Sequence, residues 1–191
     1  MTKLPAEPPL KLLVGSQKQF AEWSALNDTI MGGTSNGECR SSKEGLIFDG
    51  EIIEQGGGFV SCRSNIFSPP LNLSMYKGLQ IDVEGSGRTL KIGLSCQNNS
   101  SFIMEKLLPS GLKWVASIPT EENGLTSFRI PFNSLEPSLR AKPVYMPIQF
   151  NSSSVNQFQI LHSKFGQPGK LNYGFRSGLF TIILRSIYAY F

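Results

Sequence analysis

Residues 79–84 read Leu-Gln-Ile-Asp-Val-Glu and are followed directly by Gly85-Ser86-Gly87. Residues 90–94 read Leu-Lys-Ile-Gly-Leu. In both stretches apolar residues alternate with polar residues or glycine. This period of two is typical of a strand that has one face in a core and the other in water. Two such strands joined by a glycine-rich turn predict a β-hairpin, with Asp82 and Glu84 on its solvent side.

The same alternation recurs along most of the chain, and Gly, Pro, Asn or Ser bounds each recurrence. Further strands are predicted at residues 46–53, 59–63, 113–118, 127–132, 158–161 and 179–191. Helical periodicity is weak and is confined to residues 14–26. Many short strands with turn signals between them predict an all-β fold, an antiparallel β-sandwich or jelly roll with at most short helices.

The chain has 191 residues, a length at which one sandwich domain is common. We therefore expect an N-terminal extension over residues 1–14 and a single β-sandwich domain over residues 15–191. The extension combines prolines with a short apolar stretch, which matches neither a signal peptide nor an Arg-rich transit peptide. No apolar run approaches the length of a membrane span. These features predict a cytoplasmic protein, or a mature form that has already been trimmed, without a transmembrane segment.

The formal net charge is +4, but the Lys and Arg residues are scattered along the chain. Nucleic-acid binding needs clustered phosphate contacts, so this pattern argues against it. A mild attraction to acidic proteins or anionic membrane surfaces remains. Charged residues make up only 17% of the chain, which leaves room for a surface that faces a partner.

Metal and disulfide chemistry finds little support in the cysteines. The three cysteines, Cys39, Cys62 and Cys96, lie far apart and form no Cys-x-x-Cys pair. This spacing predicts neither a disulfide framework nor a zinc site, and it favours a reducing compartment. We expect no metal ion and no cofactor.

Catalytic motifs are also missing from the sequence. His162 is the one histidine, and neither Gly-x-Ser-x-Gly nor His-Glu-x-x-His occurs. The carboxylates that could form a glycosidase pair, such as Asp82, Glu84, Glu121 and Glu122, lie on a predicted solvent face or in a predicted turn. We expect a structural role for His162 and no enzymatic activity. A hydrolase that uses His162 or a carboxylate pair is the alternative left open.

The segment 27–35 reads Asn-Asp-Thr-Ile-Met-Gly-Gly-Thr-Ser, and it is unusually rich in polar residues and glycine. Gly32-Gly33 and the later cluster Gly56-Gly57-Gly58 lack the spacing of a phosphate-binding loop, so they predict tight turns or close backbone approach. Two interpretations of the segment stay open. Internal hydrogen bonds of Asp28, with an ion pair from Arg63 to Asp28 or Glu54, could hold the loop, or the loop could form a polar pocket for a ligand or a partner's side chain.

Motifs of a known family recur from Trp23 to the end of the chain. They are Trp23, Asn27-Asp28, Met31-Gly32-Gly33, Ser35, Phe48, Gly50, Gly57-Gly58-Phe59, Ser61, Arg63, Leu73-Ser74, Tyr76, Gly78-Leu79, Gly87-Arg88, Phe128, Ile130-Pro131-Phe132 and Ile187-Tyr188-Ala189. In these residues the chain resembles the complex I intermediate-associated protein 30 family. It departs from the family pattern after Arg88, where a tyrosine usually follows closely and this chain has Thr89-Leu90-Lys91.

The resemblance implies a galactose-binding-like jelly roll and a non-enzymatic assembly factor, or chaperone, for subunits of a membrane-bound respiratory or photosynthetic complex. It also implies a peripheral position at a thylakoid or inner membrane and, without a transit peptide, a bacterial source such as a cyanobacterium. The candidate partner-binding residues are Asn27, Asp28, Met31, Gly32, Gly33, Ser35, Arg63 and Arg88. The alternative function, by analogy of fold, is a carbohydrate or small-ligand binding module.

Overall fold

A computed structural model of the chain describes residues 9–97 and 111–191. These residues are mostly strand. The strands are β1 (Lys11–Val14), β2 (Ser24–Ala25), β3 (Asn36–Ser42), β4 (Gly45–Ile52), β5 (Phe59–Arg63), β6 (Gly78–Glu84), β7 (Thr89–Cys96), β8 (Leu112–Pro119), β9 (Thr126–Pro131), β10 (Glu136–Leu139), β11 (Lys142–Pro143), β12 (Val155–Ser163) and β13 (Gly178–Tyr190). The helical elements are α1 (Gln17–Phe20) and 3-10 turns at Asp28–Met31, Phe132–Ser134 and Ser152–Ser154.

The strands form two antiparallel sheets packed face to face. The six-stranded sheet has the order β3-β4-β13-β6-β9, with β1 also paired to β13. The seven-stranded sheet has the order β11-β10-β8-β7-β12-β5-β2. The predicted fold class, an all-β antiparallel sandwich with at most short helices, is confirmed.

The core lies between the sheets and is built from the apolar residues of the alternating strands. Ile81 of the six-stranded sheet and Ile92 of the seven-stranded sheet are both fully buried. Phe48 and Phe158 add large rings to the same cluster. Burial of each such side chain stabilises the fold by about 1.5–3 kcal/mol, which fixes which face of each strand points inward.

The predicted hairpin is wrong, because β6 and β7 lie in different sheets. β6 pairs with β13 and β9, whereas β7 pairs with β8 and β12. The segment Gly85-Ser86-Gly87 crosses between the sheets beside the β8–β9 connection, which also crosses. Gly87 N donates to Glu121 O at 2.8 Å, and Thr120 N donates to Arg88 O at 3.1 Å. Alternation determines which face of a strand is buried, and it does not determine which strand is its neighbour.

The expectation that the cysteines form no disulfide is also wrong. Cys39 of β3 and Cys62 of β5 are bonded to each other, so the bridge joins the two sheets. The two residues are 23 positions apart in the chain and meet because their strands face each other across the core. Cys96 is a free thiol. Disulfides are typical of oxidising compartments, so the cysteine spacing no longer supports a reducing one.

The N-terminal region contributes more structure than the sequence indicates. Lys11–Val14, within the expected extension, pairs with β13 as β1, and Val14 enters the core. The helix expected within residues 14–26 is only the single turn α1, whose N-terminus is capped by Ser16. Within residues 9–97 and 111–191, no helix has the length and apolar character needed to cross a membrane.

Candidate functional site

The outer face of the seven-stranded sheet carries a groove of about 870 Å³. This volume is within the range of ligand pockets in proteins. The floor is formed by outward-facing side chains of the central strands, and the walls are largely apolar. The floor includes Lys91, Ser95, Lys113, Gln157 and Gln159, and the walls include Leu26, Ile30, Met31, Phe59, Leu112, Leu161 and Phe165.

Hydrogen bonds between neighbouring strands hold the polar floor in place. Lys113 Nζ donates to Ser95 Oγ at 2.8 Å and to Gln157 Oε1 at 3.0 Å. Gln157 Nε2 in turn donates to the Ser64 carbonyl at 2.9 Å. Because each side chain is fixed by the next, the floor is ordered before any ligand arrives.

The charged side chains in the groove are all cationic. Arg63, Lys91, Lys113 and Arg140 line it, and among the described lining residues there is no Asp or Glu. Lys91 is only 6% exposed, and its burial lowers its pKa to about 8. Burial, and then the charge of Arg63, lower the pKa of Lys113 to about 8. Both lysines are therefore still mostly protonated at neutral pH, and the groove is electropositive.

Gly93 lies at the centre of the floor, between Lys91 and Ser95 on the outer face of β7. A Cβ added there would be 3.6 Å from Leu161 Cδ1 and 3.8 Å from Gln159 Cβ and Val115 Cγ1, which are ordinary contacts. The backbone therefore does not require glycine at this position. Because Gly93 has no side chain, Val115 and Leu161 form the surface of the groove above it.

One rim of the groove is the loop of residues 27–35. Its 3-10 turn, Asp28–Met31, ends at Gly32, which has a left-handed φ of +86°. This geometry leaves Ile30 and Met31 on the surface, 64% and 69% exposed, where both line the groove. Two large apolar side chains side by side at the mouth of a groove are typical of a contact surface.

Asp28 holds this loop from the inside. Its carboxylate is fully buried and accepts hydrogen bonds from Ser35 N at 2.9 Å, Ser35 Oγ at 2.6 Å, Gly58 N at 2.7 Å and Phe59 N at 3.4 Å. Burial by itself would raise the pKa of this carboxyl, but the hydrogen bonds from Ser35, Gly58 and Phe59 together hold its pKa below the ordinary value. The loop is therefore pinned to the start of β5.

The space around Asp28 explains two of the glycines. A Cβ at either Gly33 or Gly57 would overlap the Asp28 carboxylate. The interpretation of these glycines as sites of close approach is supported. The ion pair expected from Arg63 to Asp28 or Glu54 does not form, since no described carboxylate lies within salt-bridge distance of Arg63, which faces the groove instead.

Gly57→Ala is expected to destabilise the domain by about 2 kcal/mol, because the new methyl group must displace the buried carboxylate. Gly93→Ala is the matched control, since its methyl group fits and the unfolding free energy should change by less than about 0.5 kcal/mol. Urea unfolding measures both. In the Asp28→Ala background the cost of Gly57→Ala should vanish, and an unchanged cost there would show that the carboxylate is not its cause.

The candidate partner-binding residues of the loop have different surroundings. Met31 reaches the groove, whereas Asp28 and Ser35 are buried on the inner side of the loop. Asn27 Nδ2 donates to the Gly37 carbonyl at 3.0 Å, so this side chain also supports the loop. Gly32 shapes the turn. A contact role for any of them stays a prediction.

Arg88 and His162 lie outside the groove. Arg88 is buried at the crossing from β6 to β7, where its guanidinium donates to the Leu179 carbonyl at 2.9 Å. His162 is fully buried on the inner face of β12, with its ring 5.3 Å from that of Phe175. Burial lowers the pKa of His162 to about 4, so the ring is neutral at physiological pH. The absence of enzymatic activity stays a prediction.

Several groove residues were not among the sequence-predicted site residues. Lys91, Gly93, Lys113, Gln157 and Gln159 alternate with core residues, and this pattern places them on the solvent face of their strands. The signal that could have found them is that three neighbouring strands carry long polar side chains opposite a largely apolar face. The sequence does not reveal that these three strands are adjacent.

Solved structures with a similar fold include carbohydrate-binding modules. The family 11 module of a cellulosomal cellulase of Clostridium thermocellum has a TM-score of 0.63 and 14% identity, covering 97% of this chain and 96% of that chain. The same family 11 module in complex with a β-1,3-1,4-mixed-linked tetrasaccharide also has a TM-score of 0.63 and 14% identity, with 95% of both chains covered. At this identity the likeness shows the fold alone.

Sequence comparison identifies the family. An uncharacterised protein of Schizosaccharomyces pombe is 26% identical over 190 residues, which cover 93% of this chain and 83% of that protein. The sequence profile described as complex I intermediate-associated protein 30 matches residues 13–182, which include the loop of residues 27–35 and every strand that forms the floor of the groove. The chain therefore belongs to the complex I intermediate-associated protein 30 family.

Proposed function

We propose that this chain is a non-enzymatic assembly factor that holds a protein subunit of a membrane-bound electron-transfer complex in the groove of its seven-stranded sheet. The observation that carries the proposal is the groove itself, with an ordered cationic floor and apolar walls in a member of a family described by its association with complex I intermediates.

The apolar rim favours a protein as the occupant. Ile30 and Met31 are exposed although the rest of their loop is held rigidly by Asp28. Exposed methionine and isoleucine at the edge of a concave surface are typical of protein interfaces, where methionine adapts to varied partner side chains. A rigid loop that presents them reduces the entropy lost on binding.

The double variant Ile30→Ser with Met31→Ser is expected to recover at least about tenfold less partner in affinity purification from the source organism, because the rim loses its apolar contacts. Bound subunits are quantified by mass spectrometry after extraction of membranes in mild detergent. Met75→Ser with Leu179→Ser is the matched control, since both residues are 79% exposed and neither lines the groove.

Equal recovery by the two double variants would locate binding elsewhere on the surface. The absence of electron-transfer subunits from the wild-type sample would overturn the proposed function. Melting temperatures of all variants should agree within about 2 °C, because the changed side chains are exposed.

The proposal also includes the identity of the partners, the position of the chain at the membrane and its source. The partners are subunits of a complex I-like or photosynthetic complex, and the chain is peripheral to the membrane, on a side where the Cys39–Cys62 disulfide persists. A bacterial source is part of the same proposal. The family supports association with complex I intermediates and does not distinguish among these partners.

The second candidate function is binding of a carbohydrate or small ligand. It is favoured by the solved module in complex with a mixed-linked tetrasaccharide and by Gln157 and Gln159, whose amides lie in the floor of this groove. If this function is correct, that tetrasaccharide should raise the melting temperature of the chain in a concentration-dependent way. A flat response would count against it.

A further inference from the structure

We propose that the groove recognises an extended acidic segment of a partner protein, in which two carboxylates four residues apart flank an apolar residue. This inference rests on the proposed function and names the chemistry of the segment that the groove would hold.

The positive charges of the groove have no acidic counterpart among its described lining residues. Three ion pairs elsewhere on the described surface each join an arginine to a carboxylate, namely Arg40 to Asp49, Arg176 to Glu122 and Arg185 to Glu84. The groove, by contrast, holds Arg63, Lys91, Lys113 and Arg140 without any acidic residue among its described lining.

Lys91 is the sharpest case. It is only 6% exposed, and within the described part of the chain its ammonium group has no hydrogen-bond or ion-pair partner. Most of the side chain is removed from water while the ammonium keeps contact with solvent in the groove, and an anion placed beside it would offset the cost of this partial desolvation. The side chain reaches the groove, so the anion can arrive from outside.

The spacing of the two lysines argues for a segment with separated charges. Lys91 and Ser95 lie on the same face of β7, four residues apart, which is about 13 Å along the strand. Lys113 Nζ is bonded to Ser95 Oγ, so the second cation is held at the far end of this interval. One phosphate is too small to meet both sites, whereas residues i and i+4 of an extended peptide have the same separation.

The middle of the interval is apolar. Gly93 lies there beneath Val115 and Leu161, and both of these side chains line the groove. In an extended peptide, residue i+2 shares a face with residues i and i+4. The pattern that fits is therefore acidic-x-apolar-x-acidic.

Binding should weaken as the lysines lose their protons. Burial lowers the pKa of both Lys91 and Lys113 to about 8, so their charge is lost at a lower pH than for exposed lysines. The other charged groups that line the groove or adjoin Lys91 are Arg63 of β5, Arg140 after β10, Arg129 of β9 and Glu136 of β10, of which Glu136 and Arg129 line a smaller depression beside Lys91. The arginines keep their charge at pH 9.5, so binding should weaken without disappearing.

The test measures peptide binding by calorimetry on the whole chain. The probe is the acetylated and amidated pentapeptide Glu-Thr-Leu-Thr-Glu, and its matched control is Gln-Thr-Leu-Thr-Gln. We expect the acidic peptide to bind at least tenfold more tightly at pH 7 than the amide peptide. Raising the pH to 9.5 should weaken the acidic peptide at least fivefold. Sodium phosphate and the mixed-linked tetrasaccharide are the competing probes.

Variants assign the site. Lys91→Gln and Lys113→Gln should each weaken the acidic peptide about tenfold, and Gly93→Leu should abolish its binding by filling the floor. Lys18→Gln is the control, because Lys18 is exposed on α1 and outside the groove. Melting temperatures establish that each variant is folded, and Gly93→Leu keeps the test valid if a lysine variant does not fold.

Equal affinity for the two peptides, or no binding of either at millimolar concentration, would overturn the inference. Tighter binding of phosphate or the tetrasaccharide with the same dependence on Lys91 would overturn it in favour of a small ligand. Failure of the proposed function can be distinguished from failure of the inference about the acidic segment. If Lys91→Gln with Lys113→Gln still recovers partner subunits, only the acidic segment is wrong; if the peptide binds but no electron-transfer subunit is recovered, only the proposed function is wrong.

Discussion

Asp28→Ala is expected to lower the free energy of unfolding by about 3 kcal/mol, although the residue lies in a surface loop. The substitution removes the acceptor of four hydrogen bonds and leaves the donors Ser35 N, Gly58 N and Phe59 N buried or half-buried without it. Urea unfolding at pH 7 measures the change. A loss of less than 1 kcal/mol would show that water replaces the carboxylate and that the loop is not held by it.

Asp49→Ala is the matched control for this prediction. Asp49 of β4 is also a hydrogen-bonded aspartate, but its partner Arg40, on the edge strand β3, is exposed. A surface ion pair of this kind contributes little to stability, because solvent screens it. The difference between the two variants therefore isolates the effect of burying the carboxylate.

This prediction changes how partner binding should be tested. Because small domains are stable by only about 5–15 kcal/mol, loss of binding by Asp28→Ala would report on folding as much as on contact. The exposed rim residues Ile30 and Met31 avoid this ambiguity. The interpretation that Asp28 pins the loop from within is the one that the geometry supports.

Acidification from pH 7 to pH 4 is expected to lower the free energy of unfolding by about 3 kcal/mol through His162. Its pKa is lowered to about 4 in the folded chain, mainly by burial, from an ordinary value of 6.5. Between these values the unfolded chain binds a proton that the folded chain does not. Stability due to this residue is therefore present above about pH 6.5 and is lost as the pH falls toward 4.

Other titrating groups change the free energy of unfolding much less than His162 between pH 6.5 and pH 4. Lys91 and Lys113, with pKa values of about 8, are protonated in both states below pH 6.5. The lowered pKa values of Asp28 and of Glu122, which is hydrogen-bonded to Arg176, add a smaller loss only at the acidic end of this window, because their ordinary values are 3.8 and 4.5. Urea unfolding at intervals from pH 7 to pH 4 should show the decline in wild type, and His162→Gln should remove most of it. An identical decline in the variant would assign the acid sensitivity to other groups.

The alternation of apolar and polar residues in the sequence is enough to predict which face of each strand is buried and therefore which residues enter the core. Leu79, Ile81 and Val83 are fully buried as the alternation predicts, and Leu90, Ile92 and Leu94 likewise. For the glycines near Asp28 the sequence left tight turns and close approach as alternatives, and the structure shows close approach at Gly33 and Gly57. Which face of a strand is buried is a local property, since the direction of a side chain on a strand depends only on its own place in the pleat.

The amino-acid sequence does not show which strands are neighbours. The groove depends on this adjacency, because its floor is formed by adjacent strands. The turn after β6 resembles a hairpin turn in sequence but crosses between sheets, and Cys39 meets Cys62 because β3 and β5 face each other across the core. Lys91 and Lys113 reach the same groove because β7, β8 and β12 lie side by side. Pairing is set by contacts between distant parts of the chain, so alternation shows which side chains point outward but not which of them converge.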